Sequence, residues 1–172
     1  IDTVFHVAGI SDAGSRDTKE LIKTNFVGTQ EVFNASVRAG VKKFVFFSSI
    51  LASSPSSSDY ARSKSEAEEF LMNRSTENCQ IQVIILRPAA VYGEGMQGGI
   101  CKLIYYASLG VIPALSKLDW SLYMVSVEDL CSVAVALTNR ESTNRTVCYT
   151  VTDGEKYTLN RVESAIYSAL GR

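Results

Sequence analysis

Tyr60 and Lys64, in the run Asp59-Tyr60-Ala61-Arg62-Ser63-Lys64, follow Ser48-Ser49 at the end of an apolar run, and together these residues could move a proton. Residues four apart on a helix share one face, which sets the Lys64 ammonium beside the Tyr60 ring. A free tyrosine titrates near 10, so a phenolate useful near neutrality must be favoured by about 3 pH units, roughly 4 kcal/mol, through neighbouring positive charge. Lys64 is the candidate source. The Ser49 hydroxyl could then hold a substrate oxygen next to the phenol, as general acid–base work on a carbonyl or alcohol requires. The spacing alone is weak, because 8 tyrosines in 172 positions make a chance Tyr-x-x-x-Lys pair common. Its setting is the stronger signal: a serine pair closes a predicted strand, a serine-rich turn follows, and Tyr60 opens a predicted helix.

The elements that must position these groups are legible as short apolar runs and helical stripes. Thr3 to Ala8, Lys43 to Phe47 and Ile81 to Leu86 read as buried parallel strands. Between the first two runs lies a helical pattern through Leu21, Ile22, Phe26, Val27, Val32, Phe33 and Val37, closed by Gly40 where a left-handed cap fits. Between the second and third, Tyr60 to Met72 offers Ala61, Ala67, Phe70 and Leu71 as its apolar stripe. The alternation is βαβαβ, an α/β fold with a parallel sheet. Further on, the pattern predicts a helix from Gly99 to about Ser108, a loop from Pro113 to Asp119 and a strand from Trp120 to Ser126. A helix from Val127 to about Thr138, a strand at Val147 to Val151, a turn at Thr152-Asp153-Gly154 and a helix from Leu159 to Leu170 complete it.

Ligands of an open parallel sheet collect beyond the carboxyl ends of its strands, so the residues after each run matter most. These are Ala8-Gly9, Ser48-Ser49 and Arg87-Pro88: small residues, then hydroxyls, then a proline that fixes a turn. Gly28 reads either as a close helix–sheet contact or as a functional residue, and Asn25 either as a site residue or as a polar group tolerated within a helix.

Composition narrows the function classes. At 46% hydrophobic residues the chain can build a core, and 17 basic against 18 acidic residues, scattered along it, argue against nucleic acid as a partner. No apolar stretch approaches a membrane span and no signal peptide opens the chain, so a cytoplasmic protein without a membrane partner is expected. Cys79, Cys101, Cys131 and Cys148 lack metal-ligand spacing and sit mostly in apolar patterns, as small hydrophobes. His6, the single histidine, offers no metal cluster or Ser-His-Asp triad and reads as strand packing. The glycosylation patterns at Asn34, Asn73 and Asn144 read as accidental.

With Asn25-Phe26-Val27-Gly28-Thr29, Phe47-Ser48-Ser49, Tyr60-x-x-x-Lys64 and Arg87-Pro88-Ala89-Ala90-Val91-Tyr92-Gly93 in this order, the chain resembles the extended short-chain dehydrogenase/reductase superfamily, nearest to its NAD-dependent epimerase/dehydratase family. The resemblance implies a Rossmann-like doubly wound parallel sheet, residues 1–97 being the C-terminal half of the dinucleotide-binding domain. Residues 98–172 would be a small α/β substrate-binding region partly interleaved with the sheet. It implies that Tyr60 is the catalytic acid–base, that Lys64 assists it and binds the nicotinamide ribose of NAD or NADP, and that Ser49 positions the substrate oxygen. Ala8, Gly9, Asn25, Ser48, Pro88 and Val91 would line the cofactor cleft with Tyr60 and Lys64. The partners would be a small-molecule substrate and a second copy, paired through the helices bearing Asn25 and Tyr60.

The departures are informative. No G-x-x-G-x-x-G phosphate loop occurs and the chain begins with Ile1, so it reads as a fragment lacking an amino-terminal half of about 60–80 residues. Ala90, Gly99 and Leu122 stand where UDP-sugar enzymes of the family place polar or charged groups, while Trp120, Tyr105 and Tyr106 suggest a more apolar site. A nucleotide sugar therefore competes as substrate with a steroid- or flavonoid-type ketone, as in 3β-hydroxysteroid dehydrogenases and dihydroflavonol reductases. A non-catalytic NAD(P)-binding module and an inert fragment are the remaining alternatives.

Overall fold

The computed structural model describes residues 1–11, 17–76, 80–96, 99–110 and 121–171. The chain forms two compact units, Ile1–Pro88 with Cys131–Val151, and Ala89–Leu130 with Thr152–Arg172.

The first unit is built on a four-stranded parallel sheet in the order β1 (Thr3–His6), β2 (Lys43–Phe47), β3 (Gln82–Pro88) and β6 (Thr146–Val151). The register aligns His6, Phe46, Ile85 and Cys148 across it. Because side chains alternate along a strand, Phe44, Phe46, Val83 and Ile85 share one face. There they meet Phe33, Ala67 and Leu71 from the connecting helices in a core that is at most 5% exposed. Lys43, on β2, sends its ammonium to the carbonyls of Thr138 and Arg140 (2.5 and 3.0 Å), closing the C-terminus of α5 (Val127–Thr138) where helix carbonyls lack partners.

The first connecting helix has three segments: α1 (Thr18–Leu21), a π-helical stretch (Ile22–Val27) and α2 (Gly28–Arg38). Asp17 caps its start through the Lys19 N–H (3.0 Å). It ends as the sequence predicts, at Gly40 with φ +69°, a conformation that glycine adopts without Cβ strain. The stripe predicted for this helix holds at Leu21, Phe26 and Phe33 and is corrected at its valines. Leu21, Asn25, Thr29, Phe33 and Ser36 are buried, whereas Val27, Val32 and Val37 are about two-fifths exposed. The π segment slips the register by a residue, and the buried polar groups find partners, so hydrophobicity alone misidentified the inner face. Gly28 does not serve a close contact either, since an added Cβ would meet nothing nearer than the Lys23 carbonyl at 3.7 Å.

The second connection runs through two short 3-10 turns (Ile50–Ser53 and Pro55–Ser57) into α3 (Asp59–Thr76). Ser58 starts α3 by accepting the Ala61 N–H on its hydroxyl (3.1 Å). The expected apolar positions Ala61, Ala67 and Leu71 are fully buried, and Ser63, Lys64 and Glu68 are buried with them. Pro88 ends β3, paired with Val151, rather than starting a turn.

The second unit holds β4 (Ala90–Tyr92), parallel to β5 (Ser121–Ser126), which pairs antiparallel with β7 (Lys156–Thr158). α4 (Gly99–Ser108) and α6 (Leu159–Ala169) bury Ala107, Val162 and Ile166 together, packed with Leu103, Leu122 and Tyr157. β4 and β7 carried no signal in the sequence. The predicted loop at 113–119, Trp120 and Cys79 lie outside the described residues. Cys131 and Cys148 are exposed, against the expectation of small buried hydrophobes, and Cys101 is partly buried. No helix among the described residues is long and apolar enough to cross a membrane, and no cluster of potential metal ligands is found among them.

Candidate active site at the carboxyl ends of the strands

Lys64 is the side chain around which this end of the sheet is organised. It is 4% exposed, and its Nζ donates to the carbonyl of Phe47, the last residue of β2, at 2.8 Å. The ammonium also lies 4.9 Å from the centroid of the Phe46 ring, a favourable cation–π placement. Burial pulls its pKa down to about 8, with the Glu68 carboxylate acting in the opposite sense. The ammonium therefore still predominates at pH 7. One of its three protons is committed to Phe47, which leaves donors for a ligand's hydroxyls.

Ser48 and Ser49 follow directly. The Ser48 amide continues the parallel ladder to the Leu86 carbonyl (2.8 Å), while its hydroxyl, in a residue 5% exposed, has no hydrogen-bond partner among the described residues. An unpaired buried hydroxyl costs about 1–3 kcal/mol, so it marks a position where a ligand's polar atom would be welcome. Ser49, 9% exposed, accepts the Leu51 N–H on its hydroxyl oxygen (3.2 Å), keeping its own proton to donate. Tyr60 stands in the first turn of α3, partly buried, one turn before Lys64.

Asn25 ties the segment after β1 to α3. Fully buried in the π segment, it accepts the Ile10 N–H on Oδ1 (2.7 Å). Its Nδ2 donates to the Ile10 carbonyl and to the Ser63 hydroxyl, both at 3.0 Å. Ser63 in turn donates to the Tyr60 carbonyl (2.8 Å). Asn25 is thus a buried amide whose partners are the Ile10 backbone and the Ser63 hydroxyl. The clamp lays Gly9 over the lysine: a Cβ added there would stand 3.2 Å from both Asn25 Oδ1 and Lys64 Nζ. A side chain there would fit only if the amide and the ammonium each gave way by a few tenths of an ångström.

Gly9, Asn25, Lys64 and the Phe47-Ser48 end of β2 are therefore brought together. Ala8 is exposed beside Gly9, Pro88 is buried at the end of β3, and Val91 lies on β4 in the second unit, 37% exposed. His6 is strand packing with a polar role: its ring stacks on Phe46 (5.8 Å), and Nε2 meets the Thr29 hydroxyl at 3.0 Å. Thr29 gives its proton to the Asn25 carbonyl (2.6 Å), so it accepts from His6, which puts a proton on Nε2. Burial, and then the Lys64 charge, hold the His6 pKa below its ordinary value.

The sequence reading missed Glu68, buried at 2% exposure and gripped by Arg87. Its signal was the repeat of four from Tyr60 through Lys64 to Glu68, which puts all three on one helix face.

The depressed lysine has a measurable consequence. A group whose folded pKa lies below its unfolded value contributes stability that is fully present above the unfolded pKa of 10.5 and is lost as pH falls through about 8. That gap corresponds to about 3 kcal/mol at most. In urea unfolding, Lys64→Met should gain stability relative to the native chain by up to about 3 kcal/mol as pH falls from 10.5 to 8. A difference independent of pH over that window would contradict the burial of Lys64.

Comparison with known proteins places the chain in a family. The chain is 28% identical over 148 residues to a UDP-glucose 4-epimerase of Vibrio cholerae, covering 77% of the chain and 44% of that protein. It is 30% identical over 135 residues to a ceramide reductase of Caulobacter vibrioides, covering 78% and 40%. The chain thus spans less than half the length of these relatives. Among solved structures, MoeE5 in complex with UDP-glucose and NAD superposes with a TM-score of 0.83 at 21% identity, over 99% of this chain and 63% of that one. The sequence pattern of one family matches residues 1–148, and the chain accordingly belongs to the NAD dependent epimerase/dehydratase family.

Proposed function

We propose that the chain carries the proton-transfer side of an NAD(P)-dependent oxidoreductase or epimerase site, with Tyr60 as acid–base, Lys64 as its cationic partner and Ser49 as the holder of the substrate oxygen. The observation that carries this reading is the Lys64 ammonium, buried yet still charged at the end of β2 and one helical turn from Tyr60. A fixed positive charge in a water-poor place favours the phenolate of a neighbouring tyrosine far more than an exposed one would. Tyr60 would take the proton from a substrate hydroxyl, or return it to a carbonyl oxygen, while Ser49 donates to that oxygen and holds it in line.

The residues present fit the nicotinamide-ribose part of a dinucleotide. The spare protons of Lys64 and the unpaired Ser48 hydroxyl suit ribose hydroxyls, and Gly9 leaves the backbone bare above them. When bound, the nicotinamide would supply a hydride donor or acceptor. A glycine-rich phosphate loop is not part of this sequence. Adding NAD to the chain and following its melting temperature tests the reading, since a ligand bound only to the folded state stabilises it by about 1.4 kcal/mol at ten times its dissociation constant. A saturable rise that Tyr60→Phe retains and Lys64→Met loses supports it, and the same rise in Lys64→Met would refute the lysine's role.

A second reading of the substrate, an apolar ketone rather than a nucleotide sugar, is favoured by the second unit. It contains a cavity of about 490 Å³ lined by Met96, Ile104, Met124, Val162 and Ile166. Among the described residues that line it, the one cation is Arg161, which is engaged by Glu155 (3.0 Å) and lies over the Tyr157 ring (4.8 Å). A diphosphate would have to break that pair. Leu122 packs into the apolar cluster of the same unit, where a charged group would be costly.

We also propose that two copies pair through the helices bearing Asn25 and Tyr60, the first of which leaves Val32 38% exposed. Val32→Glu should then shift sedimentation equilibrium towards monomer. A native chain that stays monomeric at high concentration would remove this part of the proposal.

A further inference from the structure

The chain leaves the sheet at His6, the last residue of β1 in register with β2, opposite Phe46. Beyond it Val7, Ala8 and Gly9 are exposed, yet Gly9 is held where an added Cβ would stand 3.2 Å from the Lys64 ammonium. A stretch that has left its ladder needs other partners to stay in one place. The first connecting helix supplies them from a single buried turn.

At one end of the stretch, His6 Nε2 gives its proton to the Thr29 hydroxyl oxygen (3.0 Å), and Thr29 gives its own to the Asn25 carbonyl (2.6 Å). At the other end, the Asn25 side chain meets both backbone groups of Ile10, accepting from its N–H (2.7 Å) and donating to its carbonyl (3.0 Å), as a neighbouring strand would. The same amide reaches the Ser63 hydroxyl (3.0 Å), and Ser63 reaches the Tyr60 carbonyl (2.8 Å). His6, Asn25, Thr29 and Ser63 are all buried, so water does not compete for these bonds.

We infer that His6 and Thr29 are positioning residues of the candidate site: their hydrogen bond fixes the helical turn that carries Asn25, and Asn25 fixes Gly9-Ile10 over Lys64 and the opening of α3 at Tyr60.

Two features make the tie specific. The first is the backbone. Leu21, Asn25, Thr29 and Phe33 are all buried, a spacing of four that an unbroken α-helix would carry round by about 40° at each step. The π segment takes up that drift: at its end the Gly28 N–H bonds to the Lys23 carbonyl, five residues back rather than four. The Thr29 hydroxyl braces this segment at the Asn25 carbonyl, and His6 braces Thr29 from the sheet. The second feature is chemistry. The middle member of the chain must accept from one neighbour and donate to the other, which a hydroxyl does and an apolar side chain of the same shape does not. Valine copies the shape of threonine without either capacity, and serine keeps both capacities without the methyl group.

The inference rests on the reading of Gly9, Asn25 and Lys64 as parts of one site, but its test needs neither cofactor nor substrate. In the full chain labelled with 15N, hydrogen exchange of the Ile10 amide is compared with that of the Phe46 and Ile85 amides in the core, and the Asn25 side-chain amide signal is followed with it. In Thr29→Val, exchange at Ile10 should rise by about tenfold or more relative to the core amides, the mark of a local opening. The Asn25 signal should move towards that of a free amide. Thr29→Ser should keep both at native values. Because Thr29→Val strands the His6 N–H, His6→Phe with Thr29→Val is the companion: a ring still faces Phe46, and the couple is replaced by apolar groups. Ile10 should exchange in this double variant as fast as in Thr29→Val, since residues that act as one unit are not additive. Native protection of Ile10 in Thr29→Val or in the double variant would overturn the inference. So would a Thr29→Ser chain that behaves as Thr29→Val, or acceleration of Ile10 and the core amides by the same factor, unfolding included. Each of these would leave the couple a packing element. None would touch the dehydrogenase reading, which is judged by NAD-induced stabilisation.

Discussion

Tyr60→Phe should lower turnover of a carbonyl or carbinol substrate by about 10²–10⁴-fold, the range that a positioned proton donor contributes, while NAD binding and substrate KM change little. The substitution removes one oxygen and keeps the ring, so the first turn of α3 and its Ser58 cap are undisturbed. Ser49 would still donate to the substrate oxygen, and Lys64 would still be anchored on Phe47. What would be lost, on the proposed reading, is the group that exchanges the proton. An interaction made only in the transition state lowers kcat and kcat/KM equally, which distinguishes it from a defect in binding. Turnover within a few-fold of native would assign the proton to another group and remove Tyr60 from the chemistry.

Phe33→Ala should cost about 3–5 kcal/mol in urea or thermal unfolding, as truncation of a fully buried aromatic does. Phe33 is 1% exposed and meets Phe44 edge-on at 5.3 Å and Phe70 edge-on at 5.9 Å. It therefore joins the first connecting helix to both the sheet and α3, and such ring pairs add to the area they bury. Domains of this size are stable by about 5–15 kcal/mol, so a large share of the total is at stake. Val32→Ala, one residue earlier on the exposed face, should change stability by about 0.5 kcal/mol or less. A cost below about 1 kcal/mol for Phe33→Ala would mean that this helix is not held by the core described above.

Phe33 also marks the limit of what hydrophobic pattern reveals. The parallel strands were legible because strands covered on both faces become continuous apolar runs, as Phe44 to Phe47 and Val83 to Leu86 are. Gly40 was legible because a helix end needs a particular backbone conformation. The inner face of the first connecting helix was not, because it is partly polar: Asn25, Thr29 and Ser36 are buried there, and each has a hydrogen-bond partner. Pattern reading rewards the valines and misses the amide. β4 and β7, three residues each, are too short to show a period of two.

The candidate site divides along the same line. Tyr60, Lys64 and Ser49 were readable as types and spacings, and Gly9 as the small residue at a strand end. That Lys64 is buried could not be read, because lysine is ordinarily an exposed residue. Its burial is permitted by Phe47, Phe46 and Glu68, which lie 17 or more residues back in the chain or a full helical turn ahead. The Glu68–Arg87 pair depends in the same way on β3 returning beside α3, a tertiary fact with only a weak shadow in the sequence.

The central claim is that the buried Lys64 ammonium is the point at which cofactor meets the proton-transfer groups. Following the Lys64 side-chain resonance, assigned by its loss in Lys64→Met, while NAD is titrated into chain labelled with 13C and 15N at lysine tests it most directly. The account predicts a saturable change of that signal with the same dissociation constant that describes the rise in melting temperature. A melting temperature that rises while the Lys64 resonance stays fixed would place the cofactor elsewhere and contradict the account.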